Sequence, residues 1–166
     1  MQTLSLVRGL QQLGHENCIF ARPGSKLLKE ARESNIPCFT LPMRGKWDLI
    51  SARTLRRLVD VQKPDILHAH TSHACSIALM ARWPDSTPAI VFSRNSALPA
   101  KKPFLRRKLK NVDALLAVSE VRNQLLEAGI PSRKIFVVEC SSDSSKPDTT
   151  LLLEKAEECY RSVLQL

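Results

Sequence analysis

Two hydrophobic patterns alternate along the chain: stretches with an apolar residue every third or fourth position, and short unbroken apolar runs. Over 3–13, Leu4, Val7, Leu10 and Leu13 fall on one helical face, and Gly14 supplies the stop. NCIFA (17–21) is short and apolar, ends at Pro23-Gly24, and predicts a strand. Ser25 caps a helix carrying Leu27, Leu28 and Ala31, which closes near Asn35. IPCFTLP (36–42) predicts the next strand. Asp48 then caps a helix with Leu49, Ala52, Leu55, Leu58 and Val59 inward, and Pro64 blocks its continuation.

The alternation continues to the end. DILHA (65–69) predicts a strand and 72–83 a helix with Ala74, Ile77, Ala78 and Ala81 inward. AIVFS (89–93), 114–118 and KIFVV (134–138) predict three more strands. Ser119 opens a helix to Ala128, with Gly129 as its stop, and 150–164 is a last amphipathic helix beyond the polar loop SSDSSKPD. Most of the strand runs are continuously apolar and do not alternate, the pattern of strands covered on both faces. Strands alternating with helices and buried on both sides define an α/β protein. The expected architecture is a single Rossmann-like domain, a doubly wound, mostly parallel sheet with helices on both faces. Ligands in such folds bind beyond the carboxyl ends of the strands.

At 166 residues the chain fits one domain with a proper core. No apolar run approaches the ~20 residues that span a bilayer, and the first residues lack the layout of a signal peptide. The expected location is the cytoplasm. Cys18, Cys38, Cys75, Cys140 and Cys159 stand singly without a CxxC pair, which argues for reduced thiols and against a disulfide framework.

The formal charge of +9 points to an anionic partner. Much of it is local: Arg94, Lys101, Lys102, Arg106, Arg107, Lys108 and Lys110 precede the next acid, Asp113. In KKPFLRRKLK a helix starting near Pro103 would put Phe104, Leu105 and Leu109 on one side. That is the pattern of a basic helix lying on an anionic membrane surface through Lys101, Lys102, Arg106, Arg107, Lys108 and Lys110. Nucleic acid is the weaker reading, because Phe104 is the only aromatic nearby to stack on a base. A plainly solvated helix face is the third.

DILHAHTSH (65–73) brings His68, His70 and His73 within six positions. Zinc would suit three converging imidazoles. His73, however, falls on the first turn of a helix, and no carboxylate or thiol stands at ligand spacing, so no metal is expected. His68 lies inside its strand and reads as a hydrogen-bonded interior residue. His70 reaches the carboxyl end, where ligands bind. Ser119 and Glu120 open a helix at another strand end, where backbone N–H groups attract anions; Ser119 also reads as a plain N-cap. Asp65 and Asp113 precede strands and are expected to serve turns, and Trp47 and Trp83 to serve packing.

The segments LVRGLQQLGHE, LLKEARESNIPCFTLPMRGKWDL, KPDILHAHTSHACSIALMAR and VDALLAVSEVRNQLLEAGIPSRKIFVV resemble, in order and spacing, the N-terminal domain of family 4 glycosyltransferases of the GT-B fold. PDILHAH, and AVSE followed by LLEAGIPSRKI, are the specific parts. The resemblance covers 1–140 and implies transfer of a sugar from a nucleotide donor, with the N-terminal domain holding the acceptor. His70, Arg94, Asn95, Ser119 and Glu120 would line that acceptor cleft. Where many relatives carry a His facing the reaction centre, this sequence has Arg94 and Asn95. An arginine cannot serve as a base near neutral pH but can hold a phosphate or carboxylate.

Family members begin with a strand and a glycine-rich turn, whereas Met1 here stands at the head of the first helix. They also continue into a donor-binding domain. Here 141–149 reads as a linker, and 150–166 as the family's terminal helix packing back on the domain. The resemblance therefore implies an acceptor-binding lobe expected to be inactive alone, since transfer requires donor and acceptor held in register. No cofactor is expected, and a nucleotide-sugar donor only with a donor domain from another chain. The implied partners are a sugar or lipid-linked acceptor, a donor-domain partner, and, for some relatives, the inner face of the membrane. In a doubly wound sheet the first strand is central, so its neighbours are expected to re-pair, to self-associate or to leave the fold marginal.

Overall fold

The computed structural model describes residues 2–45, 48–82, 88–94, 103–139 and 149–165. In chain order they form α1 (Gln2–Gln12), β1 (Ile19–Ala21), α2 (Lys26–Glu33), β2 (Cys38–Thr40), α3 (Leu49–Gln62), β3 (Ile66–Ala69) and α4 (Ser72–Ala81). Then follow β4 (Ala89–Arg94), α5 (Pro103–Lys110), β5 (Ala114–Val118), α6 (Ser119–Glu127), a 3-10 turn at Ser132–Lys134, β6 (Ile135–Val138) and α7 (Thr149–Leu164). The fold class is the expected one, α/β with parallel strands and helices on both faces. Element ends differ from the sequence reading by a residue or two, and the 3-10 turn takes Lys134 out of the strand.

Local chemistry accounts for the boundaries. The Ser25 hydroxyl accepts from the Leu28 N–H and the Asp48 carboxylate from the Ser51 N–H, so both caps are as expected. Thr71 caps α4 by accepting from the Ala74 N–H. Gly14 and Gly129 sit at φ 89° and 74°, where a side chain is strained, and end their helices.

The sheet is in two pieces. β1 pairs with β2, and the other piece runs in the order β3-β4-β5-β6, every pair parallel. No backbone bond joins β1 to β3, so the strands expected to re-pair stay apart. Side chains tie the pieces together. α1 turns Leu4 and Val7 to Ile19, Ala21, Leu28 and Ile36 on the β1 side. It turns Leu6 and Leu10 to Val91, Leu116 and Tyr160 on the β4 side. Gly9 permits its close seat on α7, because a Cβ there would meet Leu153 Cδ2 at 2.7 Å.

β5 is buried along its whole length, and its alternate residues feed two cores. Leu115 and Ala117 join Ile90, Phe92, Leu109, Val121 and Leu125 beneath α3 to α6. Leu116 joins Val91, Val138, Ala156, Cys159 and Tyr160 on the α1 and α7 face. Two-sided burial is the reason these runs carry no polar alternation. Cys75 and Cys159 lie inside these cores as free thiols, their pKa values pushed up to about 11 and about 12 by burial. Cys140 lies outside the described residues, as do Trp47 and Trp83. Asp113 serves structure, as expected: it accepts from the Ile90 N–H at 2.7 Å and pairs with Arg82 at 2.9 Å.

Candidate functional site

Because β3, β4 and β5 are parallel neighbours, their carboxyl ends form one rim. Ala69 pairs with Phe92, Arg94 with Ala117, and Val118 leads directly into α6. His70, Arg94, Ser119 and Glu120 therefore all stand on this rim, while Asn95 lies outside the described residues.

The pleat divides them. Phe92 packs beneath α3 to α6, and Arg94, two residues on, shares its face with the start of α6. Arg94 is partly buried, which lowers its pKa, and Ser119 and Glu120 are exposed. Ser119 is not the N-cap. Val118 holds that position and offers no side-chain acceptor, because the strand feeds the helix without a polar residue between them. The first N–H groups of α6 thus point at the rim with no side-chain cap.

His70 belongs to the other face, with His68. Their rings stack at 4.2 Å between centroids, as residues i and i+2 of a strand should. His68 is held at both nitrogens: Nδ1 lies 2.5 Å from the Tyr160 hydroxyl and Nε2 2.7 Å from Ser93 Oγ. It is the hydrogen-bonded interior residue expected of it. A neutral imidazole has one N–H and one lone pair, so one hydroxyl donates to it and the other accepts. Both rings keep some accessible surface but are packed round by protein. Burial, with the neighbouring His70 adding to it, holds the His68 pKa well below its ordinary value; burial pushes that of His70 down to about 4. Both are neutral at pH 7. His70, without a hydrogen bond among the described residues, offers a neutral ring that can accept from or donate to a ligand.

His73 does not join them. It lies on the first turn of α4, close enough to Asp48 to help hold that carboxylate charged, and its Nε2 is enclosed without a hydrogen bond. Among the described residues no three ligand-type side chains converge as a metal would need. Ser93 and Tyr160, which fix His68, were missed by sequence reasoning. Tyr160 is 92 residues away, and nothing local announces the contact.

The basic segment needs correction. Lys108 is buried, 7% exposed, and is not part of a surface patch. Its ammonium donates to Ser72 O at 2.7 Å and Ser72 Oγ at 2.6 Å, and stands 5.8 Å from the centre of the Phe92 ring. Leu109 is fully buried and Leu105 packs against the same core, so these two apolar side chains face inward. Arg106 is exposed but donates to Glu127 O at 2.6 Å, at the carbonyl end of α6. Arg107 and Lys110 remain outward, and Lys101 and Lys102 lie outside the described residues. A separate groove of about 620 Å³ between β6 and α7, lined by Arg133, Phe136, Lys155 and Glu158 among others, lies along the sheet edge and away from His70.

In open parallel sheets of this kind ligands bind beyond the carboxyl ends of the strands, the rim on which these polar side chains collect. The model of one family, Glycosyltransferase Family 4, matches residues 1–146, and the chain belongs to that family. No curated protein and no solved structure matches it. No helix among the described residues is long and apolar enough to cross a membrane.

Proposed function

We propose that this chain is the acceptor-binding lobe in sugar transfer from a nucleotide-sugar, with His70, Arg94, Ser119 and Glu120, joined by Asn95, around the acceptor. The observation that carries this reading is the common rim of β3, β4 and β5 in a chain of the glycosyltransferase family. A neutral imidazole and a carboxylate suit sugar hydroxyls, and Arg94 beside the open N–H groups of α6 suits a phosphate or carboxylate on the acceptor. The lobe does not bring a donor into register by itself. The 166-residue polypeptide is therefore expected to show no transfer until a donor-binding lobe is supplied.

The test is a titration of the labelled protein with sugar phosphates, free oligosaccharides and lipid-linked sugars, followed by NMR. Shifts are expected at His70, Ser119 and Glu120, and His70→Ala with Glu120→Gln should weaken binding by about tenfold or more, as for lost hydrogen bonds of about 1–2 kcal/mol. Shifts confined to the β6–α7 groove, or transfer by the purified chain alone, would count against the proposal.

A further inference from the structure

We propose that Ser93 is a ligand-binding residue of the rim whose hydroxyl proton is turned outward to a sugar hydroxyl, with His68 and Tyr160 as the positioning residues that turn it. The assignment rests on the acceptor reading and adds to it a residue and a proton direction. Ala69 pairs with Phe92, so one position further on His70 stands level with Ser93 across the parallel pair. Level residues of neighbouring strands share a face. Here it is the α1 and α7 face, because Val91, two residues before Ser93, packs there with Tyr160. Ser93 and His70 each keep some accessible surface, whereas Tyr160 is buried.

Counting donors and acceptors fixes the direction. The neutral His68 ring has one N–H and one lone pair for two hydroxyls, Tyr160 at 2.5 Å from Nδ1 and Ser93 at 2.7 Å from Nε2. Were Nδ1 to donate to Tyr160, the phenolic O–H would be left in the interior with no acceptor among the described residues. An unmet buried donor is costly. The reverse order leaves nothing unmet. Tyr160 donates to Nδ1, the Nε2–H donates to Ser93 Oγ, and the Ser93 O–H remains to be given at the rim. Beside it stands the His70 ring, which has no hydrogen bond among the described residues. A hydroxyl seated between the two accepts from Ser93 and donates to the His70 lone pair. Both side chains are uncharged, so they suit a sugar hydroxyl. Arg94, on the opposite face of its strand, suits a phosphate.

Two measurements test it. In a nitrogen–proton correlation spectrum of the labelled, ligand-free chain at pH 7, the His68 ring is expected as one tautomer, with its proton on Nε2. Tyr160→Phe removes the donor that fixes this tautomer and should bring in the Nδ1–H form. In titrations with glucose 1-phosphate, Ser93→Ala should bind about tenfold or more weakly than the parent, and Ser93→Thr, which keeps the hydroxyl, within about threefold of it. Inorganic phosphate, which has no sugar hydroxyl, should bind all three within about threefold. The spectrum of the parent needs no variant, so it decides the direction even if Ser93→Ala folds poorly. A His68 proton on Nδ1 in the parent, an unchanged tautomer in Tyr160→Phe, or full affinity in Ser93→Ala would each overturn the proposal and leave the acceptor reading standing. Failure of the parent to bind glucose 1-phosphate would overturn it too, and the acceptor reading with it only if oligosaccharides and lipid-linked sugars also fail.

Discussion

Lowering the pH from 6.5 to 4 should remove about 3 kcal/mol of folding free energy through His70, with a further loss through His68. Both imidazoles titrate lower in the folded chain than in the unfolded one, by burial. Across this window the unfolded chain takes up protons that the folded chain refuses, so stability rises with pH and falls as acid is added. The His70 contribution is fully present above about 6.5 and is spent near its folded value of about 4. That of His68 continues to decline below this, because two rings 4.2 Å apart cannot both become cations without repulsion. Asp48 adds to the trend only at lower pH. Two bonds from Ser51 and one from the Arg44 N–H hold it at about 2, so its share begins to be lost below the ordinary 3.8. Urea titrations at pH 7, 6, 5 and 4 measure the effect, and His70→Phe should flatten the slope while leaving the pH 7 stability near that of the parent. Stability independent of pH between 7 and 5, or His68 and His70 ring resonances titrating near 6.5, would refute the assignment.

The same pair shows how far the sequence could be read. That His68 and His70 share a face followed from the two-residue period of a strand, and the stacked rings bear it out. Tyr160 could not be foreseen, because a contact across 92 residues leaves no local mark. β4 and β5 were legible because burial on both faces writes an unbroken apolar run, and the caps at Ser25 and Asp48 because one side chain satisfies an N–H three residues on. The division of the sheet between β1 and β3 was not legible. Pairing order is a property of the whole chain, and each strand alone looks the same with or without a neighbour. Rim positions followed from strand ends, but the facing of each side chain depended on boundaries that shift by a residue. Hence Arg94 and His70 share an edge yet lie on opposite faces. Ser119 seemed a natural cap by residue type, but β5 runs to Val118 and displaces it into the first turn.

Lys108 is the sharper lesson, and it leads to the second large effect. In FLRRKLK it stands three residues after Leu105 and next to Leu109, so helical periodicity already placed it on the inward side, against the weight of its charge. Phe92→Ala is expected to cost about 3–5 kcal/mol, since Phe92 is 1% exposed and lies in the larger core with Ile90 and Leu115. It would also leave the Lys108 ammonium without the ring it stands over. Lys108→Met should cost less than about 1.5 kcal/mol, because relief from burying a cation offsets the lost bonds to Ser72 and Ser76, and the Ser72 carbonyl keeps the Ser76 hydroxyl at 3.1 Å. Chemical denaturation of the two variants compares them directly. If Lys108→Met cost as much as Phe92→Ala, the ammonium and its Ser72 contacts would be holding α5 to α4, and the packing of Phe92 would be secondary.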